Sequence, residues 1–348
     1  MSDELYMQRC LDLAKLGMEN VSPNPMVGCV IVHENQIIGE GYHQKIGEAH
    51  AEVNAINDVF KNYGDKAPTL LKNATAYVSL EPCAHFGKTP PCADLLVKHQ
   101  LKKVVICNKD PFSGVNGKGV EKLKTAGIEI VTGVLAEQGS YINRRFFTRI
   151  KKQRPYIILK WAQTANGFFA PIDNIQKWIT GSLAKQLTHQ WRGEEDAILV
   201  GKNTALIDNP QLTNRNTDGK NPVRIVIDRN LAIPSAHYIF NDAAKTIIFN
   251  EIKTEVINNI HFVQMEDMQF YLAQKVAFQL YLMDIQSVII EGGLQILNYF
   301  IKADLWDEAR IFTAQTIWDK GIEAPKLNGN IVKHLTVETD RLTIIQHL

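Results

Sequence analysis

Long apolar runs are missing from this chain. Nowhere in its 348 residues does a stretch approach the roughly 18–20 apolar positions of a membrane-spanning helix. A membrane protein is therefore not expected, and Met1 to Gly17 is too charged to read as a secretory signal. An excess of one charge is missing too. Lys plus Arg number 38 and Asp plus Glu 37, a net charge of +1, so no basic field favours nucleic acid. Cysteine is scarce: five residues, an odd number, point away from a disulfide framework and toward a reducing cytoplasm. Gly-x-Gly-x-x-Gly does not occur, which excludes the standard Rossmann fingerprint. Internal repeats and low-complexity tracts are absent as well. What remains is a globular composition, 45% hydrophobic and 22% charged, in a chain long enough for two domains.

The most informative pattern present is His50-Ala51-Glu52, followed 30 residues later by Pro82-Cys83 and then by Cys92. One imidazole and two thiolates make a ligand set for zinc, and a catalytic zinc keeps three protein ligands with a fourth position open to water. Zinc brings the pKa of such a water near neutrality. Glu52, a carboxylate outside the ligand set, is suited to shuttle protons. His-x-Glu with a downstream Pro-Cys and a second Cys is the zinc deaminase pattern. The expected chemistry is hydrolytic removal of an amino group from a heteroaromatic ring. One detail is unusual: base deaminases carry Cys-x-x-Cys, but eight residues separate Cys83 from Cys92. A longer loop still brings both sulfurs to one metal and adds a wall for substrate. Cys10, Cys29 and Cys107 sit in apolar stretches and read as core.

Periodicity places these residues on elements. A helix is expected over 3–17, a hairpin over 27–32 and 37–42, and a helix opening at His50 and running to about Phe60. Strands are expected at 75–80, 104–107 and 128–131, and helices at 92–99 and 119–126. The metal ligands thus fall near helix N-termini, where the dipole favours thiolate. Asn143 to Pro155 is rich in Lys and Arg and reads as the connection between domains. The expected division is 1–147 and 148–348. Further on, strands are expected at 156–160, 196–200, 224–228, 246–250, 288–291 and 309–313. Helices are expected at 182–194, 267–281 and 294–301. Glu291-Gly292-Gly293 ends a strand and opens a helix, where backbone N–H groups can meet a phosphate; a bare strand-to-helix turn reads equally well.

The chain closely resembles the bifunctional deaminase–reductase family of riboflavin biosynthesis over nearly its whole length. The first half carries Asn24-Pro25-x-Val27-Gly28, Gly41-Tyr42-His43, His50-Ala51-Glu52 and Leu80-Glu81-Pro82-Cys83, continuing to Pro90-Pro91-Cys92 with the long loop of that family. The second half carries Lys160-x-Ala162, Trp178-Ile179-Thr180, Arg192, Asp208-Asn209-Pro210-x-Leu212-Thr213, Arg224 to Asp228 and Glu291-Gly292-Gly293. The resemblance implies a cytidine-deaminase-like α/β/α domain followed by a dihydrofolate-reductase-like α/β domain. It implies two consecutive reactions: zinc-dependent deamination of a phosphoribosylaminopyrimidine, then NADPH-dependent reduction of the ribosyl group to ribityl.

The residue roles come with it. His50, Cys83 and Cys92 are implied to bind zinc, with Glu52 as proton shuttle. Asn24, His43 and the 84–91 loop are implied to line the pyrimidine and phosphate pocket. Lys88 in that loop suits a phosphate, although an exposed lysine is the ordinary reading. Ala162, Trp178, Thr204, Asp208 and Gly293 match cofactor positions; Asp208 is either a catalytic proton-transfer group or a holder of the nicotinamide amide. Gln176, Arg192, Leu212, Arg215 and Glu291 match substrate positions. Arg229 is a candidate for the NADPH 2′-phosphate. A homodimer or higher homo-oligomer is expected, with no nucleic-acid or membrane partner. The family's Ser is Gln176 here, its Asp-Gly is Asn166-Gly167, and its Asp-Pro-Asn-Pro is Asp110-Pro111-Phe112-Ser113. The first departure leaves open an alternative: a deaminase whose C-terminal half only binds.

Overall fold

Val30 and Val32 face one way along their strand, and Cys29 and Ile31 face the other. That alternation, the period of a strand buried on both faces, puts helices on both sides of the first sheet. The computed structural model describes residues 2–84, 90–112, 115–172, 178–215 and 217–348. The chain divides into two compact units, Met1–Gln153 and Arg154–Leu348.

In the first unit the strands are β1 (Gly28–His33), β2 (Gln36–Tyr42), β3 (Thr75–Leu80), β4 (Lys103–Asn108) and β5 (Glu129–Thr132). They form one sheet in the order β2-β1-β3-β4-β5. The β1–β2 hairpin and the β1–β3 pair are antiparallel; β3, β4 and β5 run parallel. The helices are α1 (Asp3–Lys15), α2 (Ala51–Tyr63), α3 (Ala67–Lys72), α4 (Cys92–Lys98), α5 (Lys118–Thr125), α6 (Ala136–Ile142) and α7 (Arg144–Lys152). On one face Met7, Cys10, Leu11 and Ala14 of α1 and Ile142 of α6 pack on Val30, Tyr77 and Val105. On the other, Ala55, Ile56 and Val59 of α2, Leu96 of α4 and Leu123 of α5 pack on Ile31, Val78 and Ile106. This is the expected α/β/α layering.

The basic stretch is helical. Its Phe146 and Phe147 bury against Leu80, so α7 belongs to the first unit. The expected cut at 147 falls inside this helix. The division comes after Gln153, which caps α7 in a left-handed conformation with φ +51°.

The second unit contains β6 (Tyr156–Gln163), β7 (Phe168–Ala170), α8 (Ser182–Glu194), β8 (Ala197–Gly201), α9 (Lys202–Asp208), β9 (Val223–Ile227), β10 (Thr246–Asn250), β11 (Glu255–Ile257) and β12 (Ile260–Gln264). It continues with α10 (Leu272–Leu282), β13 (Ser287–Ile290), α11 (Leu294–Lys302), β14 (Glu308–Thr313), β15 (Ile322–Glu323), β16 (Asn330–Val337) and β17 (Asp340–Gln346). The main sheet has the order β11-β12-β10-β9-β8-β13-β6-β14-β17-β16. Strands from β12 to β14 run parallel, and antiparallel strands close both edges. One face is covered by α10 and α11 through Val276, Leu280, Leu297 and Phe300. The other is covered by α8 through Trp191 and by α9 through Ala205.

Gly28 sets the distance between α1 and β1. A Cβ there would stand 2.0 Å from the Cys10 carbonyl oxygen and 2.9 Å from the Ala14 nitrogen. Both are backbone atoms, so no side chain can yield. Gly28→Ala is expected to destabilise the first unit by at least about 2 kcal/mol through overpacking. Urea denaturation checks this; a change under about 0.5 kcal/mol would mean that α1 moves aside freely.

Candidate active sites

Pro82 ends β3 and Pro91 precedes α4, so Cys83 and Cys92 lie on either side of a loop whose ends return to one place. Cys92 is the first residue of α4, and His50 is the N-cap of α2. The Ala93 N–H donates to the Cys83 carbonyl at 3.1 Å. The Cys92 N–H reaches the Cys83 sulfur at 3.3 Å. His50 Nδ1 lies 3.7 Å from Cys83 Sγ and 3.3 Å from Cys92 Sγ. The three donor atoms all fall within 4.8 Å of one another, and among the described residues no fourth side chain joins them. Hydrogen bonding from Cys92 and His50 pulls the Cys83 thiol down to about 4 against the opposing effect of burial. One nitrogen and two sulfurs, with a thiolate already favoured, fit zinc with one position left over.

Glu52 is buried in the first turn of α2, and its carboxyl interacts with the Cys92 thiol. Burial and the Cys83 charge push its pKa up. His43, also buried, stands edge-on to His50 with ring centroids 5.4 Å apart. Its Nδ1 is 3.1 Å from the Ala49 carbonyl, and its Nε2 is 3.1 Å from Asn24 Nδ2. A carbonyl can only accept, so Nδ1 carries the proton and Nε2 is the acceptor. Asn24 must then offer its NH₂ to His43, which turns its carbonyl oxygen elsewhere. Lys88 lies within 85–89, outside the described residues.

Nothing in the sequence around Glu81 marks a role for it. It is buried immediately after β3, next to Pro82 and Cys83. Its carboxylate accepts the backbone N–H groups of Asp110 at 3.3 Å, Gly117 at 3.0 Å and Val120 at 3.2 Å. It thus caps α5 and ties the 110–120 segment to the metal-ligand turn. Only the tertiary fold brings those donors to it.

In the second unit, Arg192 near the end of α8 donates to Glu291 at 2.8 Å and to the Thr213 carbonyl at 3.3 Å. Lys160 of β6 lies 3.8 Å from the other Glu291 oxygen. Burial would raise the Glu291 carboxyl, but the charges of Arg192 and Lys160 outweigh it and hold the pKa below its usual value. Glu291 Oε1 and Arg192 Nε are buried without a hydrogen-bond partner. Arg215 reaches Thr213 Oγ1 at 3.4 Å, and Leu212 is buried beside Thr213. Arg192, Leu212, Arg215 and Glu291 therefore converge through Thr213. Lys160 joins them, although its sequence motif suggests no role for it.

Among the cofactor candidates, Thr204 of α9 lies against the glycine turn. A Cβ on Gly293 would meet its Oγ1 at 3.4 Å. Burial raises the carboxyl of Asp208, which ends α9. Ala162 sits on β6 opposite Phe312. Trp178 is 68% exposed, with Lys185 Nζ 4.2 Å from its ring centroid. The Arg229 Nε is held by Glu251 at 2.8 Å, while Nη2 is buried without a hydrogen-bond partner among the described residues. Gln176 lies within 173–177, outside the described residues.

Comparison with known proteins decides the family. Residues 1–108 match the family described as cytidine and deoxycytidylate deaminase zinc-binding region, and residues 155–318 match the RibD C-terminal domain. The riboflavin biosynthesis protein RibD of Aquifex aeolicus is 40% identical, over 92% of this chain and 89% of that protein. The chain belongs to the RibD family. RibD of Escherichia coli is 35% identical over 96% of this chain and 91% of its own. A crystal structure of a diaminohydroxyphosphoribosylaminopyrimidine deaminase/5-amino-6-(5-phosphoribosylamino)uracil reductase from Thermotoga maritima superposes with a TM-score of 0.90. It is 35% identical and covers 99% of both chains. Both catalytic domains of the family are present, so the chain is a bifunctional deaminase and reductase of riboflavin biosynthesis. Its deaminase domain is of the zinc-binding kind, and its reductase domain is dihydrofolate-reductase-like and of the NADPH-using type.

Removing the Glu81 carboxylate would leave three backbone N–H groups without their acceptor. Glu81→Ala is expected to cost about 3 kcal/mol, and Glu81→Gln roughly half that. Guanidinium denaturation of the zinc-loaded protein tests the pair. A loss below about 1 kcal/mol for the alanine variant would show that the 110–120 segment does not depend on Glu81.

Proposed function

We propose that the first unit deaminates 2,5-diamino-6-(5-phosphoribosylamino)pyrimidin-4(3H)-one and that the second reduces the ribosyl group of the deaminated product to ribityl with NADPH. The observation that carries the reading is the convergence of His50, Cys83 and Cys92, with Glu52 against Cys92. We assign the three as zinc ligands. A zinc held there supplies a water acidic enough to lose its proton near neutral pH. Glu52 takes that proton and delivers it to the exocyclic nitrogen. A C–O bond forms at the ring carbon, the C–N bond breaks, and ammonia leaves. The raised pKa of Glu52 suits a group that must hold a proton between the two steps. Asn24 offers a carbonyl oxygen to the pyrimidine edge because His43 fixes its amide, and Lys88 is assigned to the substrate phosphate.

In the second unit, Arg192 and Arg215 are assigned to the substrate phosphate, since guanidinium suits bidentate grip. Leu212 and Gln176 are assigned to the substrate as well. Glu291, kept ionised by its cationic neighbours, accepts from ribose hydroxyls. NADPH supplies the hydride. Ala162, Trp178, Thr204, Asp208 and the Gly293 turn are assigned to hold it, with Arg229 for its 2′-phosphate. We place the enzyme in the cytoplasm, with a small-molecule substrate and no nucleic-acid or membrane partner. The net charge of +1 supports this, and no helix among the described residues is long and apolar enough to cross a membrane. A homodimer or higher homo-oligomer fits the outermost strand β16, which exposes Ile331 and Val332.

Glu52→Gln keeps the shape but cannot carry the proton. It is expected to retain zinc and to lose deamination by about 10²–10⁴-fold. The same variant should reduce already deaminated substrate at a near-normal rate, because every residue assigned to the reduction belongs to the second unit. Zinc analysis and separate assays of ammonia release and NADPH oxidation check all three points. A loss of deamination below about tenfold would refute the role of Glu52.

A preference for NADPH over NADH is expected, and Arg229→Ala should reduce it by about tenfold if Arg229 meets the 2′-phosphate. The ratio of kcat/KM for the two cofactors is the measurement. Equal use of both by the unaltered enzyme would refute the preference; an unchanged ratio in the variant would refute only the residue.

A further inference from the structure

One buried histidine in the second unit has no part in either reaction as assigned. His189 lies three residues before Arg192 on α8, on the same helix face. It is buried, and its Nδ1 stands 3.2 Å from the backbone nitrogen of Arg215. A backbone N–H can only donate, so Nδ1 must be the acceptor and the ring must be neutral. Burial, then the charges of Arg192 and Arg215, push its pKa down to about 4 against the opposing pull of Glu291. The lone pair on Nδ1 is therefore present at neutral pH.

The surroundings show what this bond holds. Three successive residues, 213–215, rest on the last turns of α8. Arg192 holds the Thr213 carbonyl at 3.3 Å. A Cβ on Gly193 would meet Asn214 Nδ2 at 3.0 Å. His189 holds the Arg215 N–H. The segment enters this contact from Leu212, whose φ of +54° is unfavourable for a leucine. Its backbone is anchored inside while the Arg215 side chain is exposed. A long cationic side chain reaches a defined point only if its Cα is fixed.

We propose that His189 is a positioning residue for the reduction, fixing through its Nδ1 the backbone from which Arg215 meets the substrate phosphate. This rests on the assignment of Arg215 to substrate. His189→Leu removes the acceptor and fills the space, whereas His189→Asn places an amide oxygen near the position of Nδ1. Steady-state NADPH oxidation with deaminated substrate is measured for both variants, for Arg215→Gln and for the double variant His189→Leu with Arg215→Gln. Ammonia release by the first unit and NADPH binding by the second report that each protein is folded. Should His189→Leu fail on either, His189→Ala takes its place in the series.

His189→Leu is expected to raise KM for substrate about tenfold with kcat within about threefold. His189→Asn should recover most of that loss. In the double variant the His189 effect should largely vanish, because it acts through Arg215. Three outcomes overturn the proposal: an unchanged KM in the leucine or alanine variant, equal losses in the leucine and asparagine variants, or additive losses in the double variant. An unchanged KM in Arg215→Gln would instead refute the assignment of Arg215 on which the proposal stands.

Discussion

The hydrogen bond from the Cys92 backbone to the Cys83 sulfur is the contact on which the deaminase centre depends. It brings the first sulfur to the N-terminus of the helix that carries the second. A thiolate drawn partly out of water is costly unless donors and positive charge surround it. Here the start of α4 and the imidazole of His50 supply both. The long connection between the cysteines matters little beside this. Closure entropy grows only with the logarithm of loop length, at roughly 0.6 kcal/mol per doubling. Eight intervening residues in place of two thus add on the order of 1 kcal/mol.

The second unit meets the same problem, a charge taken out of water, by another route. Glu291, partly buried immediately after β13, is kept ionised by Arg192 and Lys160. Even so, Glu291 Oε1 and Arg192 Nε lack hydrogen-bond partners. A buried unsatisfied polar atom costs about 1–3 kcal/mol. Its persistence in an otherwise paired cluster is intelligible if substrate hydroxyls and phosphate complete the set, as the proposed reading has it. The cluster is built from β6, α8, β13 and the 212–215 segment, so it exists only once the parallel sheet has formed.

Much of this is legible in the sequence, because local rules and chemical pattern agree. Periodicity alone bounds Ser182–Glu194 and Thr246–Asn250 correctly. The zinc ligands are legible because their residue types are rare and their order is specific. Elements escape where the local signal is weak. Helix α9 is only seven residues long and buries one of them, Ala205. Strand β16 is exposed along nearly its whole length, so it shows no alternation to read. Periodicity starts α10 at 267, but the left-handed Tyr271, with φ +54°, delays it to Leu272. Glu81, Lys160 and His189 illustrate a different limit. Each is an ordinary residue type whose role is set by partners many positions away in sequence.

The basic stretch between the halves shows how a charge run can mislead. Arg144, Arg145, Arg149, Lys151 and Lys152 read as a connection between domains, yet two aromatics stand among them. Burial is decided by the apolar residues. Phe146 and Phe147 are buried together with Arg145, while Lys151 and Lys152 at the end of the helix stay exposed, where like charges interact only weakly. The pair lands on Leu80, the last residue of β3, immediately before Glu81, Pro82 and Cys83. The helix therefore closes the first unit over the strand end that carries the metal-ligand turn. That turn is held from two sides: by Phe146 and Phe147 packed on Leu80, and by α5 and the 110–120 segment through Glu81. A motif of a few residues can set zinc geometry only because the chain on either side of it is pinned in this way.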